Sequence, residues 1–200
     1  MPLISSLDKK TPEPLIGDEF TILPLKEGCI SDSYIRWLND PEINRFLEIR
    51  FVNQTYETVK AYIQSFYQDV EKYAWGIYPI GRTNMIGTTT LYNINRHHGS
   101  GEIGLLIGEK EYWGKGASEE AVNLLAEFAF EALGLRRLTG GSYASNYGMS
   151  FSYKRLGFTN EGKLRQAYCI SPGVYVDGYH WGLLDTEWRA GDQKRKARKD

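Results

Sequence analysis

The chain has 200 residues, 42% of them hydrophobic and 14% aromatic, enough for one sizeable core and too few to expect two. A formal charge of −1 argues against a nucleic-acid binder, and the two cysteines form neither a disulfide framework nor a metal-like spacing. No apolar run approaches the roughly 20 residues of a membrane span, and no charged-then-apolar leader is present, so a cytoplasmic protein is expected.

Residues 1–16 lack periodicity and are expected as a flexible arm ahead of one domain over 17–188. Residues 20–25 read as a first strand, with Pro24 marking an edge or an end. Ser31 caps a helix carrying Tyr34, Ile35, Trp37 and Leu38, which stops around Asn39-Asp40-Pro41. Pro41 opens a short second helix with Ile43, Phe46 and Leu47 on one side. Thr55 opens a long amphipathic helix whose apolar face is Tyr56, Val59, Tyr62, Ile63, Phe66 and Val70. Residues 73–80 and 85–92 then read as two strands joined across Gly81-Arg82-Thr83-Asn84.

Residues 101–108 form a short apolar strand bounded by glycines. The chain crosses 109–115 into a helix that opens near Gly116. There Ala117, Ala121, Leu124, Leu125, Phe128, Ala132 and Leu133 recur three or four apart until Gly134 ends it. Residues 136–143 are a further strand, Asn146 starts a helix that runs to Leu156-Gly157-Phe158, and 161–170 and 174–184 are a last pair of strands. Residues 189–200 carry six Lys/Arg against two Asp, leaving the rest at −5, and are expected as a basic disordered tail. The order describes a mixed α/β (α+β) layer architecture around one sheet.

Gly114 and Gly116, one residue apart where a helix starts, let free backbone N–H groups point at an anion while the helix dipole adds positive charge. This is a candidate phosphate cradle. Taken with its sequel, the pattern resembles the GNAT superfamily of acyl-CoA-dependent N-acetyltransferases. The family's turn is Gln/Arg-x-x-Gly-x-Gly/Ala, and here it is Glu111-Tyr112-Trp113-Gly114-Lys115-Gly116, followed by an alanine-bearing helix, Asn146 and Leu156-Gly157-Phe158. The form is similar to the branch of ribosomal-protein alanine acetyltransferases and covers about residues 17–188. Glu111 replaces the usual Gln or Arg, and Met149 stands where that branch usually carries Ser.

The resemblance implies a GNAT fold with a mixed sheet of about seven strands, two of which splay apart to admit acetyl-CoA as co-substrate. Leu105, Leu106 and Ile107 would offer strand backbone to the pantetheine arm. Trp113, Gly114, Lys115, Gly116, Ala117 and Ser118 would hold the pyrophosphate, and Asn146 would bond the arm while capping its helix. Tyr153 would protonate the leaving thiolate, and Glu102 would act as base directly or through water. His97 and His98 are the runners-up as base, because imidazole titrates nearest neutrality. From the residues alone, Tyr153 also reads as a packing ring, Glu102 as a strand-end charge and Lys115 as a solvated cation.

Acceptor recognition is expected from residues 30–70 and the last hairpin, with Trp37, Asn39, Glu42, Asn44 and Glu48 as candidate contacts. That mixture of rings, amides and charge is similar to acetyltransferases acting on nucleotide-linked amino sugars, so a small-molecule amine of that kind is expected. A protein N-terminal amine is the alternative acceptor, and a non-catalytic acyl-CoA-binding module the alternative of another class. Neither a metal nor a covalent enzyme intermediate is implied, and a homodimer is compatible with the reading.

Overall fold

In the computed structural model the described residues are 12–196, with side chains through 191. The strands are β1 (Leu15–Ile16), β2 (Phe20–Pro24), β3 (Tyr73–Pro79), β4 (Gly87–Asn95), β5 (Ser100–Ile107), β6 (Arg137–Tyr143), β7 (Thr159–Ser171) and β8 (Val174–Leu184). The helices are α1 (Asp32–Asn39), α2 (Pro41–Asn44), α3 (Tyr56–Gln68), α4 (Ala117–Glu127), α5 (Tyr147–Leu156) and α6 (Asp185–Lys196).

Local chemistry starts the helices where the sequence places them. Ser31 Oγ accepts the Tyr34 N–H at 3.1 Å, and Asp40 accepts from Glu42 N–H at 2.8 Å. Thr55 and Thr58 cap one another reciprocally, at 2.9 and 3.3 Å, to open α3. On α3 only Val59, Ile63 and Phe66 of the expected apolar face are buried. Val70 lies past the helix end, Tyr56 bonds Glu27 at the surface, and Tyr62 borders a cleft described below.

All eight strands join one sheet in the order β1-β2-β3-β4-β5-β6-β8-β7. One strand more than expected is present because Leu15 and Ile16 pair with Ile22 and Thr21, inside the segment expected as a loose arm. Residues 1–11 of that arm lie outside the described residues. A core built on β2–β6 packs against Ala117, Ala121, Val122 and Leu125 of α4 on one face. A second cluster, with Tyr34, Trp37 and Leu38 of α1 and Val59, Ile63 and Phe66 of α3, covers the other. The Glu120 carboxylate ties α4 to the start of β2 by accepting the N–H groups of Glu19 and Phe20, at 3.0 and 3.2 Å.

The pairing of β5 with β6, the sheet's parallel contact, is brief. It covers Ser100↔Arg137, Gly101↔Leu138 and Glu102↔Thr139, while the strands themselves run on to Ile107 and Tyr143. Beyond Glu102 the sheet therefore opens like a wedge, with β4 still holding β5 and β8 still holding β6.

The chain's end differs from its sequence reading. Residues 189–196, expected in a disordered tail, continue α6, and 197–200 lie outside the described residues. The helix docks because Trp188 is buried against Phe130, ring centroids 5.7 Å apart, and its Nε1 donates to Asn123 at 3.0 Å. No helix among the described residues is long and apolar enough to cross a membrane.

Candidate active site

A cleft of about 650 Å³ occupies the opening of the wedge. Glu102, Gly104, Leu105 and Leu106 line it from β5, Gly141, Ser142 and Tyr143 from β6, and Asn146 and Tyr153 from α5. The parted strands expose backbone N–H and C=O groups to one another across this space, so an extended arm can take the place of the missing ladder.

Glu102 sits at the last paired position, opposite Tyr92 on β4 and Thr139 on β6. Its Oε1 accepts from the Tyr92 hydroxyl at 2.8 Å and its Oε2 from Asn93 Nδ2 at 3.1 Å. Asn93 reaches it because the β4–β5 register shifts after Tyr92, with Asn93 at φ +50°. Two donors thus orient the carboxylate. Burial, and then the neighbouring Glu102, raise the Tyr92 phenol well above its ordinary value, which keeps it a donor.

Tyr153 is 2% exposed, its ring stacked on Trp181 at 5.5 Å and tilted against Phe158 at 4.8 Å. Its hydroxyl approaches the backbone of Gly140, where an added Cβ would meet it at 2.0 Å. The hydroxyl makes no hydrogen bond among the described residues. Burial first, then Glu102, hold the phenol above its ordinary value. Tyr153 belongs to the core cluster and also lines the cleft. Asn146 likewise caps α5, its Oδ1 accepting the Met149 N–H at 3.1 Å, and it also lines the cleft.

Next to the cleft, the turn before α4 holds Gly114 at φ +72° and Gly116 at φ +84°, left-handed conformations that glycine adopts freely. A Cβ at either would meet no atom within 4 Å, so the turn faces open space. Glu120 N–H is the first of α4 to find an intrahelical acceptor, Gly116 O at 2.9 Å. The N–H groups of Ala117, Ser118 and Glu119 precede it at the positive end of the helix dipole. An unobstructed turn with free donors fits the pyrophosphate of acetyl-CoA. Trp113 Nε1 donates to Ile107 O at 2.9 Å and closes the end of β5, whereas Lys115 extends into solvent near the Tyr112 ring.

The expected acceptor contacts are only in small part at the cleft. Trp37 is 2% exposed, lies against Gly108 and donates to Glu109 at 3.2 Å, so it is core. Asn39 joins α1 to the chain before α3 through Ile35 O and both backbone groups of Gln54. Asn44 is buried and donates to Leu38 O, and Glu42 pairs with Lys110 at the surface. None of these four lines the cleft: Trp37 is core, Asn39 and Asn44 hold neighbouring segments together, and Glu42 makes a surface ion pair. Glu48 does line the cleft, its Oε1 accepting the Tyr143 hydroxyl at 2.9 Å. His97 and His98 lie exposed in the turn before β5 and do not line it.

Other residues at or beside the cleft, Phe46 and Arg50 within 30–70, Tyr168 in the last hairpin and Tyr143 on β6, were not singled out by the sequence. Tyr143 and Tyr168 stack at 4.1 Å with 14° between their planes, and Phe46 tilts onto Tyr143 at 5.6 Å. Arg50 lies 5.4 Å from the Tyr143 ring and donates to Arg45 O and Cys169 O, pinning the segment after α2 to β7. The register of β6, β8 and β7 brings Tyr143 and Tyr168 together.

A family described as acetyltransferase (GNAT) domain matches residues 20–159. An uncharacterized N-acetyltransferase of Bacillus subtilis, YoaA, is 28% identical over 82% of this chain and 93% of its own length. The crystal structure of a putative acetyltransferase from T. thermophilus superposes with a TM-score of 0.74 at 25% identity, covering 94% of this chain and 97% of that one. Spermidine N-acetyltransferase from Vibrio cholerae, in complex with CoA and spermine, shares the fold at a TM-score of 0.74 and 22% identity, over 86% of this chain and 98% of its own.

Proposed function

The chain belongs to the GNAT family and is an acetyl-CoA-dependent N-acetyltransferase, and from that premise we propose that its acceptor is a small cationic primary amine taken into the cleft between Glu48 and Glu102. The observation that carries this reading is the composition of the acceptor wall. Two carboxylates, Glu48 and Glu102, stand among the rings of Phe46, Tyr62, Tyr92, Tyr143 and Tyr168. Carboxylates and π-faces together attract an ammonium group.

The same wall weighs against a nucleotide-linked amino sugar. Such an acceptor carries a pyrophosphate and needs cations, whereas Lys72 is the lining cation among the described residues and Trp37, Asn39 and Asn44 are committed to the fold.

Transfer is direct, in a ternary complex, because neither Cys29 nor Cys169 lines the cleft to carry the acetyl group. The thioester arm runs in the wedge along Leu105 to Ile107, its pyrophosphate on the N–H groups of Gly114 and of 116–119, since that of Lys115 donates to Tyr112 O, and its amide against Asn146. Strand N–H groups left free by the wedge stabilise charge on the thioester oxygen. Glu102, fixed by Tyr92 and Asn93, receives the ammonium proton directly or through water, which frees the lone pair for attack. Tyr153 gives its proton to the departing thiolate; a phenol held above its ordinary pKa still carries that proton at neutral pH.

A panel of amines with acetyl-CoA, read by release of free CoA and by a mass gain of one acetyl group, tests the acceptor. Diamines or polyamines should be turned over, and Glu48→Gln should lower kcat/KM for them about tenfold with kcat for a small monoamine unchanged. Turnover confined to a nucleotide-linked amino sugar or to peptide N-termini would replace this acceptor with one of those.

A further inference from the structure

β7 carries two more residues than β8 where it passes the cleft, since Leu164 pairs with Gly178 and Tyr168 with Val176. The excess is taken up in a bulge with Gln166 at φ +51°. Asp177 holds that bulge, accepting the Gln166 N–H at 2.8 Å and pairing with Lys163 at 2.6 Å. Bulges beside a cleft re-aim side chains, and the side chain that follows this one is Tyr168.

Two bare backbones make a bed for it. A Cβ on Gly178 of β8 would run into the Tyr168 ring, and one on Gly141 of β6 would meet its hydroxyl at 3.0 Å. The side chain therefore lies across β8 onto β6, stacked on Tyr143. Gly141 shares a face of β6 with Thr139, the last residue there to pair with β5, and Thr139 stands opposite Glu102. The Tyr168 hydroxyl thus ends beside the opening of the wedge, on the face that carries Glu102. Tyr168 lines the cleft, and its hydroxyl makes no hydrogen bond among the described residues. Burial first, then Glu48 and Glu102, raise this phenol above its ordinary value, so both carboxylates act on it and it stays protonated.

A primary ammonium carries three N–H groups, and Glu102 takes one proton. The two that stay on the nitrogen need acceptors in a cleft walled by rings. We propose that Tyr168 is a further contact of the acceptor: its phenol oxygen accepts an N–H of the reacting nitrogen while Glu102 takes the proton, which fixes the direction of the lone pair toward the thioester. Asp177 is then a positioning residue that acts through the bulge. The proposal rests on the acceptor being an amine bound in this cleft.

Tyr168→Phe removes the oxygen and keeps the ring on Tyr143. Steady-state kinetics compare it with wild type on 1,4-diaminobutane and on butylamine. kcat/KM should fall about tenfold on both amines, the scale of one lost hydrogen bond to a charged group, with the KM for acetyl-CoA and the melting curve unchanged. Glu48→Gln, by contrast, should lower only the diamine. Asp177→Ala should lower kcat/KM by itself and add nothing to Tyr168→Phe, because it acts through the placement of the phenol. A loss confined to the diamine, or an equal rise in the KM for acetyl-CoA, would overturn the contact with the reacting nitrogen. Additive losses in the double variant would overturn the part given to the bulge. If the wild type turns over neither amine, the acceptor reading falls and this proposal with it, whereas turnover that is undiminished in Tyr168→Phe removes the proposal alone.

Discussion

Tyr153 combines two demands that usually compete. Its ring fills the core between Trp181 and Phe158, its hydroxyl stops at the backbone of Gly140, and the residue also lines the cleft. Tyr153→Phe keeps the packing, so kcat should fall by about 10²-fold while the KM for acetyl-CoA barely moves, in steady-state kinetics on a variant with a wild-type melting curve. Gly140→Ala tests the same proton from outside. Its Cβ would press on the hydroxyl, and kcat should drop although no reacting group has been removed. The pH profile follows from the direction of the phenol's shift. Burial and Glu102 raise its pKa, so the donor form is complete below the ordinary value of 10.0 and is lost only at higher pH. A kcat measured from pH 6 to 10 should show no alkaline decline from this residue, and a decline near pH 8 would point to another donor.

At the scale of elements, the turn into α4 and the helix α6 were legible to different degrees. The Gly-x-Gly spacing announces a left-handed turn, and both glycines have positive φ. Backbone strain and obstruction can be separated there. Gly116→Ala should cost about 1–2 kcal/mol through its φ alone, whereas Gly116→Asn tolerates the left-handed region and should cost less. Each places a side chain where the pyrophosphate approaches, so calorimetry should show weaker acetyl-CoA binding in both variants. Equal affinity in all three proteins would remove the cradle from this turn. For α6 the sequence offered only a run of charge, which hid the docking of Trp188. Its burial against Phe130 makes Trp188→Ala a loss of about 3–5 kcal/mol in chemical denaturation, with kcat unchanged at temperatures where the variant is folded.

Across the whole molecule, periodicity revealed the order of β2 to β8 and α1 to α5, because each buries a face that its own spacing defines. It could not show the wedge, since Ile103 to Ile107 look the same whether or not β6 lies beside them. Nor could it gather Tyr143 of β6 and Tyr168 of β7, which meet through the β6–β8–β7 register, with Phe46 of the turn after α2 tilted onto Tyr143. Polar residues on α1 and α2 looked like acceptor contacts because a side chain that caps a neighbouring helix has the same chemistry as one that holds a ligand. The wedge has a consequence for the sheet as a unit. β5 stays hydrogen-bonded to β4 and β6 to β8, but between them the ladder ends after Glu102 and Thr139. The two halves of the sheet are therefore joined over three residue pairs, and the backbone groups lining the gap exchange with water when no ligand is present. Acetyl-CoA lying in the gap would bond both edges and bind the folded state alone, adding about 2.7 kcal/mol of stability at a hundredfold excess over its Kd. Hydrogen exchange should then show new protection concentrated in residues 103–107 and 140–143, on top of a smaller general slowing from the added stability. Protection confined to the turn at 114–119 would mean that the pyrophosphate docks while the arm stays outside the wedge. A uniform slowing with no local maximum would mean that the ligand stabilises the protein without occupying the gap.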